Sequence, residues 1–128
     1  MKSYTDIEQS KKLSAILSPK SADMSWILVN YGDEAGSRHE PSLATYKTGS
    51  FFRDRIFPKD HTIPCWSLSA LLSVLSLPDL IQDKADGELF WQCSVYDEDG
   101  TLLCETYDNN PIDTCVAMIE KLYELKML

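Results

Sequence analysis

Apolar residues recur at the spacing of an amphipathic helix in three stretches of the chain. In the first, from Thr5 to Leu17, the run Thr5-Asp6-Ile7-Glu8 fits a capping box. In the second, Ser67 suits the cap of a leucine-rich helix. In the third, Asn110-Pro111 combines a cap with a proline in the first turn, and the helix continues to about Lys126. The predicted apolar faces hold Ile7, Leu13, Ile16 and Leu17; Leu68, Leu71, Leu72 and Leu75; and Cys115, Ile119 and Leu122, with Leu125 as a further candidate for the last face.

Shorter runs rich in aromatic and β-branched residues predict strands. Met24 to Asn30 is one such run, and Ser42 to Lys47 is a candidate for a short second one. Glu88 to Tyr96 alternates between two faces, Asp97 to Gly100 has the composition of a turn, and Thr101 to Tyr107 returns antiparallel. The sequence therefore predicts an early strand and a later hairpin.

The two faces of the predicted hairpin differ in character. Strand alternation places Trp91, Cys93, Val95, Leu102 and Cys104 on one face. We expect that face to be buried. The opposite face carries Phe90, Tyr96, Leu103 and Tyr107. It is more apolar and aromatic than exposed hairpins usually are, which favours an interface, and a homodimer is one hypothesis.

Glycine, proline and charged residues indicate irregular structure between these elements. Tyr31 to Glu40 is interpreted as a mobile loop, within a loop or insertion at about 31–62, and Pro78 to Ala85 as one more helical turn. The predicted order is α-β-(β)-α-β-β-α. It predicts a single α+β domain over residues 1–128. A small antiparallel sheet, made of the early strand and the 88–107 hairpin, is covered by two or three helices in two layers.

The acidic charge is concentrated in the second half of the chain. The sequence carries 12 Lys and Arg against 20 Asp and Glu, a net charge of −8. Residues 1–64 hold nine basic and eight acidic residues, whereas residues 65–128 hold three and twelve. An acidic surface repels nucleic-acid phosphates and anionic membranes, so we expect neither as a partner. Mimicry of nucleic acid is a weaker alternative to a solvated acidic surface.

One segment, residues 46–61, is basic and aromatic. It interleaves Phe51, Phe52 and Phe57 with Lys47, Arg53, Arg55 and Lys59. Stacking aromatics beside basic groups is typical of single-stranded nucleic-acid binding. Because Asp54 and Asp60 reduce the basic excess and no known module is present, an aromatic connection anchored to the core is favoured. Two hypotheses explain what covers the aromatic hairpin face: a second copy of the chain, or the phenylalanines of this segment.

Cysteine usage favours a reducing compartment. The widely spaced cysteines are Cys65, Cys93, Cys104 and Cys115. They lack a CxxC pair, which favours free thiols over disulfides. His39 and His61 are too separated to complete a zinc site, and no apolar run reaches the length of a membrane span or of a signal peptide. We therefore expect a cytoplasmic protein without metal or cofactor.

Three runs carry a resemblance to a known family. They are Ile63-Pro64-Cys65-Trp66-Ser67-Leu68-Ser69-Ala70-Leu71-Leu72, Asp108-Asn109-Asn110-Pro111-Ile112-Asp113-Thr114-Cys115 and Lys121-Leu122-Tyr123-Glu124-Leu125-Lys126. Over roughly residues 4–30 and 62–128, the chain resembles an uncharacterised family of small proteins from gut bacteria and their phages or mobile elements. The resemblance implies a genomic context but no activity and no catalytic residues.

Cys65 is the first candidate for catalysis. It precedes a predicted helix, whose N-terminal N–H groups favour a thiolate and hence a nucleophile. Cysteine followed by tryptophan is similar to the nucleophile region of papain-like proteases, but no glycine-rich approach precedes it and no histidine follows it. His61 or His39 would have to act as the base from upstream. A buried structural cysteine is favoured.

Two acidic groups are further candidates. Aligning Gly100 with the glycine of an EF-hand loop puts Val95 and Thr106 at ligand positions, so Asp97 to Gly100 is interpreted as a hairpin turn. The second group comprises the carboxylates of Asp79, Asp83, Asp86 and Glu88. An acid/base pair or a divalent-metal site needs a defined separation of carboxylates, which nothing in this run fixes, so a solvated loop is favoured.

No activity follows directly from these patterns. The favoured hypothesis is a non-catalytic accessory or interaction protein of a bacterial or mobile-element system, which binds an unknown protein partner. The alternative is a cysteine-dependent hydrolase or transferase that uses Cys65 with His61. An acidic nucleic-acid mimic is the third hypothesis.

Overall fold

The structure is a computed structural model that describes residues 2–30, 36–42 and 62–128. Within these ranges it contains three α-helices and two antiparallel sheets of three strands each. The predicted α+β class is confirmed. The chain divides into two compact units: an N-terminal unit, Asp6–Trp66, and a C-terminal unit, in which Met1–Thr5 joins Ser67–Leu128.

The first helix of the N-terminal unit is α1 (Ile7–Ser14). The predicted capping box is present but begins one residue later, because the Asp6 carboxylate accepts from the Gln9 amide at 2.7 Å. The Gln9 side chain in turn accepts from the Asp6 amide at 3.1 Å. Glutamine at the third helical position completes the box as well as glutamate does. The helix also ends before Ile16 and Leu17, so neither belongs to its apolar face.

The sheet of the N-terminal unit consists of β1 (Met24–Asn30), β2 (Ser37–Ser42) and β3 (Thr62–Cys65), with β1 in the centre. The structure confirms the predicted bounds of β1. It places β2 where the sequence predicts a loop as far as Glu40. Pairing with a strongly β-forming neighbour outweighs the low propensity of a charged segment, and Pro41 is tolerated because β2 is an edge strand. Residues 43–61, with most of the second predicted strand and the aromatic segment, lie outside the described residues.

The C-terminal unit contains α2 (Leu68–Val74), β4 (Asp79–Ala85), β5 (Glu88–Tyr96), β6 (Leu102–Asp108) and α3 (Pro111–Glu124). Its sheet has the order β4-β5-β6, and the predicted hairpin is its second and third strands. The early strand β1 does not join this sheet. The third strand is β4, whose residues the sequence predicts to form a helical turn.

The extra hairpin between β4 and β5 has a clear local cause. Asp86 and Gly87 join the strands with φ angles of 53° and 84°. Positive φ at both central residues is the geometry of a type I′ turn, and Asp-Gly is a preferred sequence for it. The turn therefore favours a strand on each side of it over helix.

The core of this unit lies between α3 and one face of the sheet. Cys93 and Cys104 are buried there, as predicted, together with Ile112, Met118 and Ile119 of the helix. Leu102 differs from the prediction, because it pairs with Tyr96 and is 44% exposed. A register shift after Val95 moves Leu102 off the buried face. The predicted caps Ser67 and Asn110 are both confirmed, since each accepts a backbone N–H at the third helical position.

Candidate functional site

The face of the β4-β5-β6 sheet opposite α3 carries the residues that the sequence marks as an interface. Residues directly opposite each other share a face. Two rows therefore cross the three strands: Asp79, Ser94 and Glu105 form one, and Ile81, Gln92 and Tyr107 form the next. Phe90 and Asp83 add a third row. We call this surface, with Tyr96 and Leu103 at its end, the open face.

Apolar and aromatic groups on the open face are exposed to solvent. Ile81 is 54% exposed and Tyr107 is 55% exposed, while Tyr96 and Leu103 are also among the exposed large hydrophobic residues. Phe90 is half-buried, and its ring lies 5.9 Å from that of Tyr107 in a tilted arrangement. Large apolar side chains grouped on one face are more typical of binding surfaces than of ordinary solvated strands.

A carboxylate on the open face, that of Glu105, is held by hydrogen bonds. Glu105 accepts hydrogen bonds from the Tyr107 hydroxyl at 2.7 Å and from the Gln92 amide at 3.2 Å. The same Gln92 nitrogen donates to Ser94 at 3.1 Å. The bond to Glu105 raises the pKa of Tyr107 above its ordinary value. The open face thus presents a carboxylate that is held in place by Tyr107 and Gln92.

A cavity of about 350 Å³ opens where the open face meets the helix ends. Asp79, Ser94, Tyr96 and Leu103 belong to both the open face and the cavity lining. The remaining lining comes from the end of α2, including Leu75 and Leu77, and from the end of α3, including Leu122 and Met127. A cavity of this volume lies at the small end of the range of ligand pockets.

Both helices end at this cavity with the same hydrogen-bond pattern. The amide of Leu77 donates to the carbonyl of Leu72, and that of Met127 donates to Leu122, each at 2.8 Å. The preceding residues, Ser76 and Lys126, have φ near 59°. These are Schellman motifs, in which an apolar residue commonly follows the left-handed one. The motif brings Met127 into the lining and leaves Leu77 79% exposed at the cavity rim.

The thiol proposed as a nucleophile is buried. Cys65 is the last residue of β3, and its side chain has no solvent exposure. The neighbouring Trp66 is equally buried and donates from its indole nitrogen to Ser21 at 2.9 Å. His61 lies outside the described residues, and so does the side chain of His39.

Two other cysteines do form a pair. Cys93 on β5 and Cys115 on α3 are hydrogen-bonded to each other inside the C-terminal unit. The bond lowers the pKa of Cys93, whereas the bond and burial together raise the pKa of Cys115. Both side chains are buried. A low-pKa thiol acts as a nucleophile only where a substrate can reach it, so this pair contributes to the core.

The acidic candidates separate into local structures. Asp97 accepts backbone N–H bonds from Asp99 and Thr101, each at 2.9 Å, which makes the predicted hairpin turn. Asp79 and Asp83 lie on the open face, Asp86 lies in the tight turn, and Glu88 begins β5. Among the residues that the structure describes, no three His, Cys, Asp or Glu side chains are grouped as metal ligands.

The cavity is the part of the site that sequence patterns missed. Tyr96 and Leu103 belong to the predicted interface, but nothing in the periodicity joins them to Leu77 or Met127. The available signal was an apolar residue just beyond each helix, Leu77 and Met127, which is typical of a Schellman end.

No helix in the described part of the chain is long and apolar enough to cross a membrane. Comparison of the chain with protein-family models, with curated proteins and with solved structures finds no match.

Proposed function

We propose that the chain is a non-catalytic accessory protein of a bacterial or mobile-element system that acts by binding another protein through the open face. The single observation that carries this proposal is the exposure of Ile81, Tyr96, Leu103 and Tyr107 on a face whose opposite side is packed against α3. The helix stabilises the sheet, so the open face can remain accessible to a partner.

The composition of the open face supports a protein partner. Aromatic residues are enriched in protein interfaces, where their large rings contribute much of the binding energy. Tyr107 and Phe90 are adjacent, and the fixed carboxylate of Glu105 adds a directional acceptor for a cationic or hydrogen-bonding group. The charge of the C-terminal unit favours a basic partner surface over nucleic acid.

Site-specific photo-cross-linking tests the proposal. Benzoylphenylalanine replaces Tyr107 on the open face or, as a matched control, Tyr123 on α3, which is 49% exposed. In the cell that makes the protein, we expect a discrete protein adduct from position 107 that is absent from position 123. The adduct should also disappear when Phe90→Ala is introduced beside the probe. The same adducts from both positions, or none from position 107, would contradict the proposal.

A further inference from the structure

The cavity at the end of the open face has a lining of two kinds. Leu75, Leu77, Leu122 and Met127 provide apolar walls, whereas Asp79 provides a carboxylate and the remaining polar lining includes Ser76 and Ser94. Leu103 and Tyr96 border the cavity on the hairpin side and are partly exposed. An apolar hollow with few polar groups is the usual form of a site that takes one large apolar group.

The cavity contains one charged lining residue, Asp79, and belongs to an acidic unit. Residues 67–128 contain twelve Asp and Glu against three Lys, and Asp79 is in the lining itself. The last residue of α2, Val74, and its cap, Leu75, also line the cavity, and a helix C-terminus carries a partial negative charge. An apolar group that enters this cavity is therefore best accompanied by positive charge.

We propose that the cavity is the anchor pocket for a basic segment of the partner protein, which inserts one large apolar side chain while flanking Lys or Arg residues face Asp79 and the acidic surroundings. This inference rests on the proposed function and names the chemistry of the partner. Apolar burial supplies the anchor, and charge complementarity selects the segment that carries it.

Binding of synthetic peptides tests the pocket directly. The probe is a short fluorescein-labelled peptide rich in lysine with a single central phenylalanine, and its binding to the full chain is followed by fluorescence anisotropy. We expect replacement of phenylalanine by alanine to weaken binding by about tenfold or more, because a whole apolar side chain is withdrawn from the pocket. Replacement of the lysines by glutamine should weaken binding similarly and remove its salt dependence.

Matched variants locate the binding site. Leu103→Trp, which narrows the mouth of the cavity, should weaken peptide binding about tenfold, whereas Leu89→Trp at the other end of the sheet should not change it. Asp79→Asn should weaken binding several-fold, whereas Asp86→Asn, with the same loss of charge, should not. Circular dichroism and thermal melting verify that each variant is folded. If Leu103→Trp fails to fold, Leu103→Ser serves in its place.

Other outcomes exclude the pocket inference in distinct ways. Equal binding of the phenylalanine and alanine peptides would mean that charge alone attracts them. Equal binding of the lysine and glutamine peptides would mean that the cavity takes a neutral apolar ligand. A concentration-dependent dimer abolished by Leu103→Trp would identify a second copy as the occupant. If any of these is found while position 107 still cross-links to a protein, the pocket inference fails and the proposed function stands.

Discussion

Two polar side-chain contacts, at neighbouring positions, join α3 to the sheet. The Thr106 hydroxyl donates to the carbonyl of Thr114 at 2.7 Å, and the thiol of the next helical residue, Cys115, is hydrogen-bonded to the thiol of Cys93. Cys93 lies directly opposite Thr106 across the hairpin. Buried polar groups cost free energy unless they are paired. These two pairs therefore fix how the helix is placed along the sheet in addition to the apolar contacts.

From the pKa shifts of the Cys93–Cys115 pair, we predict that the protein loses stability at alkaline pH. A thiol whose pKa is raised by folding stabilises the native state fully below its unfolded pKa of about 8.5, and this contribution falls as the pH rises above that value. Cys115 is in this class. Cys93, whose pKa is lowered, has the opposite sign: its contribution is present above about pH 8.5 and is lost as the pH falls through its folded pKa.

Between about pH 8.5 and pH 10, below the range in which tyrosines such as Tyr107 titrate, the slope is expected to come mainly from the raised pKa of Cys115, because the contribution of Cys93 is then constant. We expect the free energy of unfolding to fall by up to about 1.4 kcal/mol per pH unit. Urea denaturation at several pH values measures it. In Cys115→Ala the slope should become shallower, and an equal slope in both proteins would show that another group is responsible.

At the scale of elements, the helix starts were predictable and the helix ends less so. Ser67 and Asn110 cap their helices as the sequence indicates, since a cap depends on one side chain and its nearest amides. The ends of α2 and α3 instead place Ser76 and Lys126 in a left-handed conformation that favours glycine. Serine and lysine, the residues at these positions, do not indicate a left-handed conformation from sequence.

Glycine should therefore stabilise the end of α2. In Ser76→Gly we expect the free energy of unfolding to rise by about 1 kcal/mol, because the left-handed conformation costs a residue with a Cβ about that much. Thermal or urea denaturation measures the change. Ser73→Gly, at an exposed position with helical φ in the last turn of the same helix, should instead destabilise by about 0.5–1 kcal/mol. A loss of stability in both variants would refute this account of the turn.

Strand prediction depended on how much of the pairing was local. The hairpin from Glu88 to Asp108 was predictable because its turn and alternation lie within one short stretch. The strand β2 was not, because its charged sequence forms a strand only through pairing with β1. For β4, the Asp86-Gly87 turn was a usable local signal that the helical interpretation overlooked. The open face followed from alternation, whereas the cavity required residues from both helix ends.

At the scale of the molecule, the C-terminal unit folds under strong electrostatic self-repulsion. Its twelve acidic residues after position 66 are opposed by three lysines in the same stretch. Lys2 contributes one further positive charge, which pairs with Asp113 at 2.8 Å. Like charges on a compact body destabilise it, and added salt screens this repulsion.

Salt should therefore stabilise the protein. Raising sodium chloride from about 0.01 M to about 0.15 M shortens the Debye length from about 30 Å to about 8 Å. We expect the midpoint of thermal unfolding to rise by a few degrees, as measured by circular dichroism. Sucrose at the same osmolality is the control for effects that do not depend on charge. An unchanged or lower midpoint in salt would mean that attractive ion pairs outweigh the repulsion.

Tyr4 forms a β-bridge with Ser67, so the order in which these residues are synthesised differs from the order in which they can fold. The N-terminal unit is one continuous stretch, so all of its residues are available once Trp66 has left the ribosome. Tyr4 and Lys2 are made earlier, yet their partners, Ser67 and Asp113, are translated more than sixty positions later. Contiguous units generally fold as they emerge. In a nascent chain, the Tyr4 bridge can therefore form only after Ser67 has been translated, and the Lys2 ion pair only after the first turn of α3 has been translated.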